Sequence, residues 1–238
     1  MFQKIKLEKI SLRDVLLTRD DGNVSKGFIN VTFDQVGSVF DLKASPNIRI
    51  SHFLKTLAGL MQPIGGDVYF NNYSLYNLDF FEAIDLRLKI GYSFDLGGLL
   101  NNRSIQDNLL LPLDYHNILS PDERKEKVFS LLKDFEIFEY ANMLPALVPG
   151  RVRKMVIVLR PLLLNPQVLI LDDPWTGLLD HQRKRMVNHI VERMQDGNLR
   201  FVFIYDSLNL KLFNQQKELL IEYRIRQVAY DGIEAKSA

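Results

Sequence analysis

The stretch ASPNIRISHFLKTLAGL, residues 44–60, joins a strand-like segment to a helix-like one. Upstream of it, VGSVFDLK (36–43) predicts a strand. From Ser51 onward the apolar residues follow the spacing of one helix face, and Gly59 with Pro63 marks the end of that helix. The residues between strand and helix, 44–51, lie where a nucleotide-binding protein carries a glycine-rich phosphate loop.

Short strands are predicted on both sides of this stretch. Residues 3–10 and 28–33 alternate polar and apolar side chains, which is typical of antiparallel strands, and the turn-rich DDGN at 20–23 separates them. Two further short strands follow the helix, DVYF at 67–70 and KIGYSF at 89–94. The opening segments 3–10 and 28–33 therefore predict antiparallel strands.

The second part of the chain alternates helices with buried strands. The segment from 104 to about 160 is helical in character, and a helix is expected at roughly 180–196. QVLILD (167–172) and RFVFIYD (200–206) are continuous apolar runs, as expected of central strands covered on both faces. Residues 217–232 predict a closing hairpin. Together these patterns predict an α/β fold.

Composition excludes several classes of function. The chain has 238 residues, a formal net charge of +1 and no cysteine, so a nucleic-acid partner, disulfides and thiolate chemistry are not expected. Its four histidines lack the spacing of metal ligands, and the basic run 183–185 is typical of a solvated helix face. No apolar stretch reaches the roughly 18 residues that span a bilayer, and the N-terminus does not resemble a signal peptide, so we expect a cytosolic protein.

The order of elements resembles that of the nucleotide-binding (ATPase) subunit of ABC transporters. The correspondence runs through the loop at 44–51, GGDVYFNN, IGYSFD, a helical insert, LVPGR, VLILDDP and FIYD. Within it, residues 91–113 look closest to ATPase subunits of Mla/Mce-type lipid-transport systems. The resemblance implies one domain, 1–238, with the P-loop NTPase (RecA-like) ABC-ATPase fold. It also implies an antiparallel β subdomain and a helical subdomain at approximately 96–160.

The phosphate loop of this family, the Walker A motif, is altered here. Its glycine positions are held by Ala44, Asn47 and Arg49, and its lysine position by Ile50, which supplies no charge. Ser51 matches a magnesium ligand, but serine is also a common first residue of any helix, and both interpretations stay open. Asp172 matches the carboxylate that coordinates magnesium. We regard these six positions as a vestigial nucleotide site.

The remaining motif positions of the family also differ. In the signature motif, which reads Leu-Ser-Gly-Gly-Gln in the family, Val148 has no hydroxyl and Pro149 has no N–H, whereas Leu147 and Gly150 are retained. Pro161 should kink or end the following helix.

The positions that would carry out or sense hydrolysis are changed as well. Asp173 stands for the catalytic glutamate, Asp95 for the Q-loop glutamine and Tyr205 for the switch histidine. Asp95, Asp172 and Asp173 should converge without a lysine to balance them, and we expect Arg49 to fill the pocket.

These differences predict a protein that is not an enzyme. We expect a pseudo-ATPase that serves as a structural or regulatory partner in a membrane transport complex, with lipids as one candidate cargo. No cofactor is expected. The alternative is a residual ATP-binding subunit, a sensor or slow ATPase, in which Ser51 and Asp172 still hold magnesium and ATP. A third interpretation is an unrelated α/β protein with another ligand.

The resemblance also implies partners. They are a membrane permease and, in a homodimer or heterodimer, a second ABC ATPase chain, at the cytoplasmic side of the inner membrane. Docking is expected on residues 96–113, where Gly97 and Gly98 allow a tight turn and Leu99, Leu100 and Arg103 offer apolar anchors with a polar rim. For each leucine the alternative is a place in the core of the helical segment.

Overall fold

The protein is described by a computed structural model, which covers residues 5–17, 27–43, 49–213, 220–224 and 228–229. The strands within these ranges are β1 (Ile10–Leu16), β2 (Gly27–Phe33), β3 (Ser38–Lys43), β4 (Gly65–Phe70), β5 (Tyr73–Ser74), β6 (Ile90–Ser93), β7 (Val168–Asp172), β8 (Phe201–Tyr205), β9 (Leu220–Arg224) and β10 (Val228–Ala229). The α-helices there are α1 (Ile50–Leu57), α2 (Phe80–Arg87), α3 (Ile105–Tyr115), α4 (Pro121–Asp134), α5 (Gly150–Leu159) and α6 (Asp180–Gln195).

The strands form two five-stranded sheets. One is antiparallel, in the order β10-β2-β1-β4-β5, and the other is parallel, in the order β6-β7-β8-β3-β9. The carboxyl ends of β3, β6, β7 and β8 therefore meet at one edge of the parallel sheet, which is where ligands bind in open α/β folds. The α/β fold predicted from the sequence is confirmed.

The parallel sheet separates two apolar clusters. Alternate residues of its strands face opposite ways, so that Ile170 joins the cluster shared with the antiparallel sheet and Leu171 joins the cluster shared with the helices. Between the two sheets Phe33 packs edge-on against Phe40 and Phe203, with ring centroids 4.9 and 4.8 Å apart. This packing fixes β3 and β8 beneath the site.

The helical insert fills residues 105–159 with α3, α4 and α5. Ser104 begins α3 and Ser120 begins α4, each through a capping box that also satisfies the amide three residues on. Helix α5 ends at Leu159, and the chain continues as a short 3-10 turn that contains Pro161, as the sequence predicted. The helical subdomain boundaries at 96 and 160 stay a prediction. None of the helices among the described residues is both long enough and apolar enough to span a bilayer.

Two predicted strand arrangements are wrong. The first strand was expected at 3–10, but the described part of that segment, 5–9, is not a strand. Its backbone instead pairs with side chains: Gln167 Oε1 accepts from the Leu7 N–H at 2.7 Å and Arg200 Nε donates to the Leu7 carbonyl at 2.6 Å. The expected closing hairpin does not form either, because β9 pairs with β3 and β10 with β2, in different sheets.

Candidate nucleotide site

The carboxyl edge of the parallel sheet brings the predicted site residues together. β3 ends at Lys43, β7 at Asp172 and β8 at Tyr205, and α1 begins at Ile50 beside them. Ala44 and Asn47, two of the predicted loop positions, lie outside the described residues. The helix α1 has no side-chain cap at Arg49, the residue before its first turn.

Asp172 is the buried carboxylate of the site. Its Oδ2 accepts a hydrogen bond from the Tyr92 hydroxyl at 3.0 Å, and the Ser51 side chain lies close enough to the carboxyl to lower its pKa. Burial raises the pKa of Asp172 above its ordinary value, the charge of Asp95 acts in the same direction, and the two hydroxyls and Lys55 oppose it. Ser51 and Asp172 thus form one polar cluster at the N-terminus of α1.

The neighbours of this cluster differ in part from the prediction. Ile50 is half-buried and packs, like Tyr92 and Tyr205, against the apolar cluster between the sheets. Arg49 is exposed, and the cation whose charge acts on Asp172 is Lys55, one helical turn after Ser51. The balancing role that the sequence suggested for Arg49 therefore falls to Lys55.

Asp173 is held in a left-handed backbone conformation with φ of +47°. Its Oδ2 accepts from the hydroxyls of Thr176 at 2.9 Å and Ser207 at 2.7 Å, and its Oδ1 accepts from the Ser207 N–H at 3.1 Å. Its own N–H donates to the Tyr205 carbonyl at 2.9 Å. Both carboxylate oxygens are therefore engaged by neutral donors, and the sequence gave no signal of this arrangement.

Asp95 is paired, which corrects the expectation of unbalanced acidic residues. Lys154 on α5 is buried, and its Nζ donates to the Asp95 carbonyl at 2.7 Å and to Asp95 Oδ1 at 3.1 Å. The sequence analysis missed Lys154 because it looked for the balancing lysine in the phosphate loop. Lys154, in the helical insert, supplies the balancing positive charge instead.

Tyr205, at the switch-histidine position, is half-buried at the end of β8. Burial raises the pKa of its phenol, and the nearby carboxylates Asp173 and Asp172 raise it further. The group is therefore an uncharged hydroxyl at neutral pH, as the sequence comparison with histidine indicated.

The signature positions form the entrance to α5. Val148 is 4% exposed and belongs to the helical apolar cluster, Pro149 precedes the helix, and Gly150 is its first residue. Arg153 closes this turn, because its Nη1 donates to the carbonyls of Pro145 at 3.1 Å and Val148 at 2.7 Å. Val148 is thus a core residue here.

A groove of about 410 Å³ lies beside the Asp95–Lys154 pair. Its apolar lining includes Leu96, Leu99 and Ile157. Of the predicted docking residues, Leu99 is half-buried and packs against the helical cluster, Leu100 is 43% exposed, and Arg103 is exposed.

Asn108 shapes the turn next to this groove, which the sequence analysis also missed. It is fully buried, and its side-chain amide exchanges hydrogen bonds with both the N–H and the carbonyl of Leu100, at 2.7 and 3.0 Å. It also donates to the carbonyls of Arg103 and Ser104. These contacts hold the backbone of residues 100–104 in the turn.

Trp175 is 1% exposed and packs near Phe213, so it is a core residue. Across the described ranges, no group of three or more histidine, aspartate or glutamate side chains is placed to hold a metal ion by itself.

Comparison with known proteins identifies relatives. The family model described as "ABC transporter" matches residues 51–176. The chain is 28% identical over 179 residues to the lipoprotein-releasing system ATP-binding protein LolD of Buchnera aphidicola, covering 75% of this chain and 76% of LolD. It is 27% identical to the methionine import ATP-binding protein MetN of Francisella tularensis, covering 84% of this chain and 57% of MetN.

A third relative has also been solved. The chain is 29% identical over 172 residues to the ABC transporter ATP-binding protein MJ0796 of Methanocaldococcus jannaschii, covering 70% of this chain and 72% of MJ0796. The dimeric post-hydrolysis structure of MJ0796 with ADP and Pi superposes with a TM-score of 0.75, at 22% identity, over 94% of this chain and all of that one. This likeness confirms the P-loop NTPase fold with its antiparallel and helical parts.

The prediction that the chain is not an enzyme is wrong. The relatives are named ATP-binding proteins, and MJ0796 has been solved in a post-hydrolysis state. Each altered motif position, taken alone, favours an inactive protein. The matched region nevertheless begins at Ser51 and contains Asp172, and Lys55 and Lys154 supply charge that the motif count left out. The likeness to Mla/Mce-type subunits in particular is not among these findings.

Proposed function

The chain belongs to the ABC transporter family, and we propose that it is the ATP-binding subunit of a transport complex, binding Mg-ATP weakly and hydrolysing it slowly. The observation that carries this proposal is the proximity of Ser51 to the buried, Tyr92-bonded carboxylate of Asp172. It joins the first turn of α1 to the end of β7, the two places from which this fold holds a magnesium nucleotide.

The donor set fits the group. A serine hydroxyl and an aspartate carboxylate are oxygen ligands of the kind magnesium prefers, and magnesium would neutralise charge on the phosphates when bound. The side chain of Arg49 does not cap the N-terminus of α1, and the partial positive charge of a helix N-terminus favours an anion there. The Tyr92 hydroxyl donates to Asp172 Oδ2 and so helps to orient the carboxylate.

Two features favour weak binding and slow turnover. Ile50 brings an apolar side chain to the position where the family has a lysine, which removes a phosphate contact. Asp173 has a shorter side chain than glutamate, and Ser207 and Thr176 engage both of its oxygens. A displacement of about 1 Å at a catalytic group can reduce a rate roughly a hundredfold.

We place the permease contact at the groove beside Asp95. The groove is lined by apolar side chains that include Leu96 and Ile157 and by polar ones that include Asn101 and Arg153, which suits an amphipathic helix of a partner protein. Such a partner would hold the chain at the cytoplasmic face of the membrane. Pairing with a second ATP-binding chain is part of the same proposal, and the MJ0796 relative is dimeric.

The cargo proposal is lipid trafficking, which rests on the likeness of residues 91–113 described above. LolD is named for lipoprotein release, whereas MetN is named for methionine import. The relatives' names therefore differ in cargo, and copurification with the native permease is the direct way to identify it.

Isothermal titration with Mg-ATP, combined with a phosphate-release assay, tests the nucleotide proposal. Wild-type protein should bind and release phosphate slowly, and Ser51→Ala and Asp172→Asn should each weaken magnesium-dependent binding about tenfold or more. Ser130→Ala, an exposed serine on α4, is the matched control and should behave as wild type. Absence of both binding and phosphate release in wild type at millimolar Mg-ATP would overturn the proposal.

A further inference from the structure

Arg160, the residue that follows α5, carries a positive charge at one end of the groove beside Asp95. We infer that its guanidinium is the docking point for an acidic side chain of the permease, an aspartate or glutamate on the amphipathic helix that occupies the groove. The inference rests on the proposed function and names the chemistry of the partner that this groove takes.

The position of Arg160 follows from α5 and from the turn after β6. Ile157 lines the groove, and Arg160 comes three residues later, about one helical turn further along the same side. A methyl group built on Gly98 would lie 3.5 Å from Arg160 Nη2, so the guanidinium lies against the backbone of this glycine. The neighbours of Gly98, Gly97 and Leu99, both line the groove. The guanidinium is therefore within reach of an occupant.

The Arg160 guanidinium has no partner within the chain. It makes no hydrogen bond and no ion pair with any other part of the chain that the structure describes. Arg160 is half-buried, and burial lowers the pKa of its guanidinium with no carboxylate to oppose the effect. A desolvated cation without compensation costs free energy, so an arriving carboxylate gains more here than at a hydrated arginine.

The groove as a whole has an excess of positive charge. Among the described residues that line it, Arg153 and Lys154 are the cations and Asp95 is the acid. Lys154 is paired with Asp95, whereas Arg153 Nη1 donates to two backbone carbonyls, which are neutral acceptors. With Arg160, three cations meet one carboxylate, and that carboxylate is already engaged. The groove is thus complementary in charge to an acidic segment.

The apolar lining of the groove sets the rest of the occupant's chemistry. Leu96, which is 84% exposed, lines the groove together with Leu99 and Ile157. A free phosphate or a lipid headgroup would match the charge of Arg160 and leave these side chains uncovered. An amphipathic helix with apolar residues on one face and an acid one turn beyond them satisfies both. Arginine can hold such a carboxylate through two parallel hydrogen bonds.

Thermal unfolding of the isolated chain separates a docking role from a structural one. Arg160→Met keeps an unbranched stem and removes the charge, so the midpoint temperature should stay unchanged or rise. A cation that stabilised the end of α5 through the helix dipole would instead give a lower midpoint in the variant. That result would overturn the inference.

Isothermal titration with two synthetic amphipathic helices tests the choice of an acid. Both peptides have the same leucines on one face, and one carries glutamate, the other glutamine, one turn beyond the leucines at each end. Wild type should bind the glutamate peptide about tenfold more tightly, the shift expected of a hydrogen-bonded charge pair. The preference should fall below about twofold in Arg160→Gln and persist in Lys125→Gln, a control on the exposed face of α4.

Two results of these titrations would overturn the inference. One is equal affinity of wild type for the two peptides, including binding of neither. The other is binding to anionic phospholipid vesicles that depends on Arg160 while the peptides do not bind, which would assign the guanidinium to a membrane surface.

Cross-linking of the native complex tests where the carboxylate comes from. A carbodiimide condenses an amine with a carboxylate to an amide, with loss of water, and does not join a guanidinium. In the complex that copurifies with Arg160→Lys, the substituted amine should be linked to an aspartate or glutamate of the permease, located by mass spectrometry. A complex without such a link would refute the inference. Absence of any permease from the wild-type purification would count against the proposed function, while the peptide titrations still decide the role of Arg160.

Discussion

Lys154 reaches from α5 to Asp95 and donates to both the carbonyl and the carboxylate of that residue, at 2.7 and 3.1 Å. The contact joins the helical insert to the residue that follows β6. Lys154 is 7% exposed, whereas the Asp95 side chain is 40% exposed, so the pair combines a buried cation with a hydrated anion. Loss of the aspartate would leave the buried cation poorly compensated, and loss of the lysine would leave a hydrated carboxylate.

We predict that replacing the two partners has unequal effects. Lys154→Met should lower the free energy of unfolding by about 1–2 kcal/mol, because an apolar side chain of similar length removes both hydrogen bonds without leaving a buried charge. Asp95→Ala should cost more than Lys154→Met in urea denaturation, since the buried ammonium remains. Lys125→Met, on the exposed face of α4, serves as the control. Equal losses for the two partners would contradict the asymmetry.

Asn108→Ala should be among the most destabilising polar substitutions in the helical insert. The substitution removes the partner of the Leu100 N–H and of the Arg103 carbonyl, and it leaves the Leu100 carbonyl with the Arg103 N–H alone. We expect a loss of about 2–4 kcal/mol in urea denaturation. Gln106→Ala, which removes one exposed hydrogen bond to Asn142, should cost less than about 1 kcal/mol. A small effect of Asn108→Ala would show that the turn is held in another way.

Asp172→Asn should stabilise the nucleotide-free protein while weakening magnesium-dependent binding. Burial raises the pKa of Asp172, which means that folding disfavours the charged form of this side chain. The stability that depends on the protonated acid is therefore lost as the pH rises through the folded-state pKa. The variant should unfold at a higher temperature than wild type at pH 7, and the difference should narrow as the pH falls toward about 4. If Asp172→Asn unfolded at a lower temperature than wild type at pH 7, the charge of Asp172 would not be destabilising.

Tyr76 should make the protein sensitive to alkali. Its hydroxyl lies 2.6 Å from the carbonyls of both Thr56 and Met61, at the end of α1, and burial raises its pKa well above the usual value. A raised tyrosine pKa contributes stability below the unfolded-state value of about 10, and that stability is lost as the pH rises above it. Tyr76→Phe should cost about 1 kcal/mol at pH 8 and show a shallower decline above pH 10. Parallel denaturation series across this range measure both effects.

Leu100→Asp should impair permease binding with little loss of thermal stability. Leu100 is 43% exposed beside the groove, so a charge there is hydrated in the free protein and unfavourable only in an apolar contact. Leu119→Asp is the matched control, because Leu119 is also 43% exposed and lies in the turn between α3 and α4. Copurification of the native complex should fail for the first variant and succeed for the second. Normal copurification with Leu100→Asp would exclude it from the interface, and global unfolding would assign it to the core.

The sequence predicted most of the parallel sheet because its strands carry their own signal. The buried runs ending in Asp172 and Asp206 are apolar at every position, and this pattern needs no tertiary information. The first strand was misplaced because residues 5–9 alternate as a strand would, yet the side chains of Gln167 and Arg200, far along the chain, take their backbone hydrogen bonds. Periodicity cannot report a partner some 160 residues away.

The sequence predicted where the site lies but not how its charges are balanced. Motif positions located Ser51 and Asp172 correctly at the sheet edge, since spacing along the chain sets both. The position of Lys154 depends on how α5 packs, and an ordinary lysine in a helix gives no pattern of its own. An analysis limited to motif positions therefore overestimated the acidity of the pocket.

The order of strands in the parallel sheet has a consequence for synthesis on the ribosome. β3 lies between β8 and β9, although both are translated more than 150 residues after it. Until then Phe40 and Leu42, which end fully enclosed, have no neighbouring strand, and the emerging chain carries an apolar edge able to pair with other nascent chains. We therefore expect the sheet to close late in synthesis, and the incomplete chain to be prone to association until β8 and β9 have been made.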